Sequence, residues 1–309
     1  MTKGPAAHFG ILPSLEVLPF FADDPGADAP VPFSLRAHSS YGEIIRNMLT
    51  RELAGGIIPW EIFVADVLAL PGQRAAWKVP LFLHACPTEL VLREPVFRAF
   101  YPAHPAKPKL PPRLTVGVEG QNSLTKSQSR AWLGHWKNGS AVGLTFKMLP
   151  MDLMIQALKA EIIDAIIAPS PWGIHAESAG LGRRDPRFSP GKFAQRLVMV
   201  CHREFLDSVP DFSTRISAGI SAARTRLRDD RGFDQAISRM LKCGKPNVRA
   251  GLLERAAAIH AFDTLDRDVV PDLAKLVAEL MSLEEACVLP AQVSAGEQTA
   301  RLLLPAGIS

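Results

Sequence analysis

The sequence predicts an α/β protein of two lobes, with mostly parallel sheets and a helical C-terminal layer. Three observations predict it. The chain has 309 residues, long for one hydrophobic core and suited to two. Short apolar runs alternate with amphipathic stretches, as strands alternate with crossover helices in a parallel sheet. This alternation runs once to about residue 92, pauses at the proline-rich stretch PAHPAKPKLPP (102–112), and then starts again.

The elements follow in order. Residues 8–12 and 33–37 (FSLRA) read as strands. Residues 40–54 read as a helix, with Ile44, Ile45, Met48, Leu49 and Leu53 on one face. Ser39 or Ser40 suits its N-cap, and Glu43 stands where a capping box needs an acid. A second helix spans 60–70 and stops at Pro71-Gly72. Strands are expected at 78–84 and 88–92. The proline-rich stretch cannot be a regular element and reads as a surface connection. The second set has strands at 114–118, 143–148 and 163–168, and helices at 126–137, 150–160 and 171–179. After a polar loop, RRDPRFSPGK (183–192), a strand at 194–201 returns to the first lobe. Helices are expected at 211–229, 232–243, 247–262 and 270–288, with an extended tail at 289–309. The lobes are thus expected as 1–93 plus 190–265 for the first, 94–189 for the inserted second, and 266–309 for a C-terminal helix and tail.

Composition narrows the function. Apolar residues make up 47% and charged residues 21% of the chain, and the net charge is +4, an ordinary globular profile. Basic residues are mixed with acidic ones, which is no nucleic-acid footprint. No apolar run is long enough for a membrane span, so neither nucleic acid nor membrane insertion is expected. Cys86, Cys201, Cys243 and Cys287 show no disulfide or zinc spacing and are expected as free thiols. No signal peptide is recognisable at Met1–His8. The expected location is therefore cytoplasmic, or periplasmic if a leader was removed. G-x-S-x-G, H-E-x-x-H and the phosphate-loop pattern are all absent, and the eight histidines lack metal-ligand spacing. An enzyme is not expected, and neither a cofactor nor a metal is.

In open α/β sheets, ligands bind beyond the carboxyl ends of strands. Those ends here are Leu12-Pro13-Ser14, His38-Ser39-Ser40-Tyr41, Ile58-Pro59-Trp60, His84-Ala85-Cys86, Glu119 to Ser123, and Pro169-Ser170-Pro171-Trp172. Small polar groups and single aromatics gather there, as in a selective pocket. Each serine taken alone could equally be a helix cap.

The segment LPMDLMIQALKAEIIDAIIAPSPWGIHA (149–176) resembles a signature of the nitrate, bicarbonate and sulfonate class of ABC-transporter solute-binding proteins. SSYGEIIRNML (39–49) and SPGKFAQ (189–195) resemble two further stretches of that family. In order and spacing the likeness covers about residues 8–240. It implies a type II periplasmic-binding fold, hinge closure on a small anionic or polar ligand, and an ABC permease as partner. The family's cytoplasmic nitrate-sensor relatives imply an alternative, a ligand sensor acting on a regulatory protein. By position, Tyr41 replaces the family's pocket tryptophan, Lys192 matches its anion-neutralising lysine, and Thr88 matches its pocket glutamine. The family's pocket histidine has no match; the stretch from Gln121 to Lys126 is about two residues longer, which argues against nitrate itself. Asn122, Ser123 and Thr125 are expected to supply hydrogen bonds. Ser40 and Ser170 are expected at helix starts that favour a negative group. Trp172 is expected to pack at the edge of the site.

Overall fold

A computed structural model describes residues 7–13, 15–22, 33–38, 40–85, 88–102, 109–118, 124–169, 172–189, 196–209, 211–243, 272–285 and 289–305. These fall into two compact units. Described residues up to Ala85, and from Arg196 onward, form the first; residues 88–189 form the second. The strand at Thr88–Leu92, read from the sequence as part of the first lobe, hydrogen-bonds within the sheet of the second unit. The C-terminal residues 272–305 belong to the first unit.

The first sheet holds β1 (Ala7–Ile11), β2 (Phe33–Ala37), β3 (Gly55–Pro59) and β4 (Trp77–Ala85). A fifth strand, Arg196–His202, joins from beyond the second unit. In space the order is β2, β1, β3, Arg196–His202, β4. The first three run parallel and the remaining pairings are antiparallel. β3 is buried throughout, as a central strand must be.

Helix α1 (Tyr41–Leu49) follows β2 and buries Ile44, Ile45 and Met48. It lies tight on the sheet because the strands beneath it carry glycine. A Cβ at Gly10 or Gly56 would come within 2.8 Å of the Ile44 side chain. This seating fixes Ser40 and Tyr41 at the strand ends. The helix is shorter than the expected 40–54: Arg51 takes a left-handed φ of 63°, and the chain turns into β3. Helix α2 (Trp60–Phe63) continues as a π-helical turn, Val64–Leu68.

The second sheet holds β5 (Thr88–Leu92), β6 (Arg113–Val118), β7 (Gly143–Met148), β8 (Ala165–Pro169) and β9 (Arg183–Arg184). Its spatial order is β7, β6, β8, β5, β9, with β6, β7 and β8 parallel and the other pairings antiparallel. Alternation along its strands sorts side chains onto two faces. Leu90, Leu92, Ala165 and Ile167 pack on one face with Phe100 and Trp132. Val91, Ile166 and Ala168 pack on the other with Met154 and Leu158. The packing residues come from α3 (Glu94–Phe100) and α4 (Thr125–Gly134) on the first face and from α5 (Met151–Lys159) on the second, which is also covered by α6 (Trp172–Ser178). Helix α3, missing from the sequence reading, starts with proline in its first turn, a position that proline suits.

The Arg196–His202 strand, labelled β10, leads into α7 (Arg203–Ser208), α8 (Phe212–Leu227) and α9 (Asp230–Cys243). Ile216, Ile220, Ala223 and Leu227 form the buried stripe of α8. The helix expected at 247–262 lies outside the described residues. Helix Leu273–Glu285 is present within the expected 270–288. The tail expected to be extended contains a helix, Glu297–Leu303, with Thr299, Ala300 and Leu303 buried. Lys78 holds it, donating to the Leu302 carbonyl at 2.7 Å. Among the described residues no helix is long and apolar enough to cross a membrane. Cys201 is a buried free thiol; the side chains of Cys86, Cys243 and Cys287 lie outside what is described.

Candidate functional site

The register gathers strand ends at one edge of each sheet. In the first unit, Ile11 is level with Ala37, and β3 ends beside them at Pro59. β10 starts at the same edge, with Leu197 opposite Pro59 and Arg196 opposite Ala85. In the second unit, Val118 is level with Met148 and Thr88 is opposite Pro169.

At the first edge, Ser40 is the N-cap of α1, and its Oγ accepts the Glu43 backbone N–H at 3.2 Å. Tyr41 follows at the first helical position, half-buried. His38 continues the ladder beyond β2, its backbone N–H donating to the Ile11 carbonyl at 2.9 Å. Its side chain is 9% exposed, and its Nδ1 lies 3.5 Å from Glu43 Oε1. Nε2 of His38 is buried without a hydrogen-bond partner among the described residues. Across the edge, Trp60 packs on Phe63 and Phe82, and its Nε1 is also buried without a partner among the described residues. Glu61, beside it, is fully buried. Arg196 is paired with Glu279 at 2.9 Å.

At the second edge, Thr88 is 8% exposed, and its hydroxyl is buried without a partner among the described residues. Thr125, Gln128 and Ser129 form a buried polar strip at the start of α4, where Ser129 Oγ donates to the Thr125 carbonyl at 2.7 Å. The first turn of α6 already has its negative group. Ile174 N–H donates to Glu89 Oε2 at 3.2 Å, and a Cβ on Gly173 would sit 2.4 Å from that oxygen. Arg184 binds Glu89 at 2.9 Å and Glu177 at 2.7 Å. Burial raises the Glu89 carboxyl above its ordinary value, although Arg184 pulls the other way. Trp172 packs against the Val91 and Met154 face.

Behind this edge, Asp185 is 6% exposed and accepts three hydrogen bonds: from Tyr101 Oη at 2.6 Å, Trp132 Nε1 at 2.9 Å and Arg187 N at 2.7 Å. Burial, with the Asp185 carboxylate, pushes the Tyr101 hydroxyl upward.

Of the residues expected to bind ligand, Ser40 and Tyr41 are adjacent on the first unit, and Thr88 and Thr125 stand at strand and helix starts of the second. Asn122, Ser123, Ser170 and Lys192 lie outside the described residues. The sequence reading included His38 and Trp60 among the strand ends without giving either a role. It missed Glu89 and Asp185. Among the described residues no group of three or more His, Cys, Asp or Glu could hold a metal ion.

No protein-family model matches the sequence, and no curated protein matches it. Solved structures do. The periplasmic aliphatic sulphonate binding protein SsuA from Escherichia coli is similar at a TM-score of 0.67 and 12% identity, over 99% of each chain. A Candida albicans protein with the generic periplasmic binding protein fold is similar at 0.64 and 13%, over 99% of this chain and 98% of that one. The periplasmic nitrate-binding protein NrtA from Synechocystis PCC 6803 is similar at 0.62 and 12%, over 96% and 84%. The chain therefore has the periplasmic-binding-protein fold, as its strand order and its two units indicate.

Proposed function

We propose that this chain is a solute-binding protein that takes up a small polar or anionic molecule at its strand-end edges and serves as the receptor of an ABC importer. The observation carrying the reading is the full-length likeness to sulphonate- and nitrate-binding proteins, with nearly all of both chains covered in the sulphonate case. The strand ends support it: they hold buried polar side chains such as His38 and Thr88, the kind of group that orients a ligand in an otherwise apolar pocket. Binding and release, rather than catalysis, is the task proposed. An ABC permease would be the partner, and the periplasm the place of work.

In this reading Tyr41 forms a wall of the site, and Ser40, Thr88, Asn122, Ser123, Thr125 and Ser170 supply polar contacts. Lys192 is the charge partner if the solute is an anion. The test is a thermal-shift screen of small anions and small neutral metabolites, followed by calorimetry. A compound that binds only the folded chain raises its melting temperature by mass action. One compound binding one-to-one, and weakened by Tyr41→Ala, is the expected result. A chain that no member of the screen stabilises would overturn the reading.

A further inference from the structure

Apart from its strand-end edge, the second unit carries a face on which arginine and aromatic side chains are stacked. Phe97 lies in α3 and Tyr101 at its C-cap, one helical turn apart in sequence, and their rings stack with centroids 4.7 Å apart. Arg183 lies over the Phe97 ring at 5.4 Å. Arg187 lies over Tyr101 at 5.4 Å and over Trp136 at 5.0 Å. The three rings are partly buried, and both arginines are exposed.

Arg187 is held more firmly than an ordinary surface arginine. Its backbone N–H donates to Asp185 Oδ1 at 2.7 Å, and the same oxygen accepts from the Tyr101 hydroxyl at 2.6 Å. One buried carboxylate thus fixes both the chain that carries the guanidinium and a ring on which it stacks. Trp136 is packed edge-on against Phe100 and Tyr101. Stacking leaves the planar N–H fork of an arginine open to a carboxylate, and a side chain held in advance loses less freedom on binding. Among the described residues no carboxylate is ion-paired with the Arg187 guanidinium. Beside it, the single carboxylate of Glu94 is shared by Arg98 at 2.9 Å and Arg183 at 3.1 Å.

The sign of the face is that of the unit. Residues 88–195 hold fourteen lysines and arginines against eight aspartates and glutamates, a net +6 in a chain of net +4. Such a surface attracts acidic partners and speeds their approach. Tyr, Trp and Arg are also the residues that carry most binding energy at protein interfaces. Exposed arginines do not enclose a small anion as a pocket does.

We propose that the face formed by Phe97, Tyr101, Trp136, Arg183 and Arg187 docks an acidic segment of a partner protein, with Arg187 as the charged anchor and the rings as an apolar floor. Docking here is independent of solute binding at the strand ends.

The experiment uses the full chain at low ionic strength and a fluorescein-labelled peptide of alternating glutamate and alanine. Its glutamine counterpart and a labelled oligothymidylate are the comparison probes. Anisotropy is read on the wild type, Arg187→Gln, Arg187→Lys and Lys159→Gln. Lys159 ends α5, which covers the opposite face of the sheet, so its loss removes the same charge without touching the ring face. The acidic peptide is expected to bind and to weaken as salt is raised. Arg187→Gln should lower its affinity about fivefold or more, as for an interface arginine that carries binding energy. Arg187→Lys should lower it as well, because an ammonium group lacks the planar fork. Lys159→Gln should change it by less than about twofold. The melting temperature of Arg187→Gln should stay near that of wild type, as for other exposed substitutions; if the variant does not fold, Arg187→Lys carries the test. Absence of binding by the acidic peptide, equal binding of its glutamine counterpart, equal weakening by Lys159→Gln, or tighter binding of the oligothymidylate overturns the proposal.

Discussion

The two sheets share one strand order, yet their polar groups are used in different ways. Each has three parallel strands, then a strand antiparallel to them, then a last strand antiparallel to that one. In the second unit, the buried carboxylates of Asp185 and Glu89 are bound by the protein's own donors. In the first, the imidazole of His38 and the indole of Trp60 are each left one hydrogen bond short among the described residues. The same topology thus carries a satisfied carboxylate network in the second unit, beside an unmatched Thr88 hydroxyl, and an unmatched imidazole and indole in the first, among the described residues. Recognition of a solute by direct hydrogen bonding is expected to be anchored on the first unit.

Asp185→Ala should show the largest effect on this contrast. It strips an acceptor from Tyr101, Trp132 and the Arg187 backbone. Leaving buried donors unmatched should cost about 3 kcal/mol or more, read as a lower urea midpoint. A loss below about 1 kcal/mol, an ordinary point-mutation value, would deny the network its structural role. Gly173→Ala comes next. Its Cβ would meet Glu89 Oε2 at 2.4 Å and Glu89 Cβ at 2.7 Å, and overpacking of this kind costs about 1–3 kcal/mol. Unchanged stability would mean that Glu89 is free to move away from α6.

Ser40→Ala should cost about 1 kcal/mol, and Ser40→Gly only a few tenths, as for other N-caps. Equal losses for the two would contradict the capping role. The Glu89 carboxyl gives a prediction of sign. Burial raises its folded-state value above 4.5, so its favourable contribution is complete below that pH and is lost as pH rises through the raised value. The stability of wild type relative to Glu89→Gln should therefore fall as pH is raised from the ordinary carboxylate range toward neutrality. Urea titrations of both proteins across that range check it, and a rise would reverse the assignment. Lys192→Ala should be the mildest in the absence of solute, shifting stability by less than about 0.5 kcal/mol. Its effect on affinity sharpens the comparison: a fall of about tenfold to a hundredfold belongs to an anion held by a charged hydrogen bond, and little change belongs to a neutral solute.

Much of the fold was legible in the sequence because it is written locally. Apolar runs bounded by proline and glycine marked strands such as Phe33–Ala37 and Gly143–Met148 within a residue, and the Ser40 cap stood where its Glu43 partner indicated. Long-range pairing was less legible. Nothing in the residues 88–92 tells which of two sheets they join; pairing with β8 and β9 decides that. The Glu297–Leu303 helix has only two turns, too few for a periodic signal, and it depends on packing and on Lys78. At the site, strand-end logic brought out Ser40, Tyr41 and His38, and the family resemblance brought out Thr88. The roles of Glu89 and Asp185 depend on partners 85 and 84 residues away in sequence respectively, which no local pattern encodes. His38 could have been singled out by the acid five residues later on the following helix, but that pair becomes specific only when the ring is seen to be buried.

The central claim, that a solute is recognised at the strand ends of the first unit, is tested most directly by hydrogen exchange of the full chain with and without the compound that the screen identifies. The account predicts new protection concentrated at residues 38–43 and 59–62, where His38, Glu43 and Trp60 stand. Protection that leaves both stretches unchanged and falls instead along helices Leu273–Glu285 and Glu297–Leu303 would contradict it.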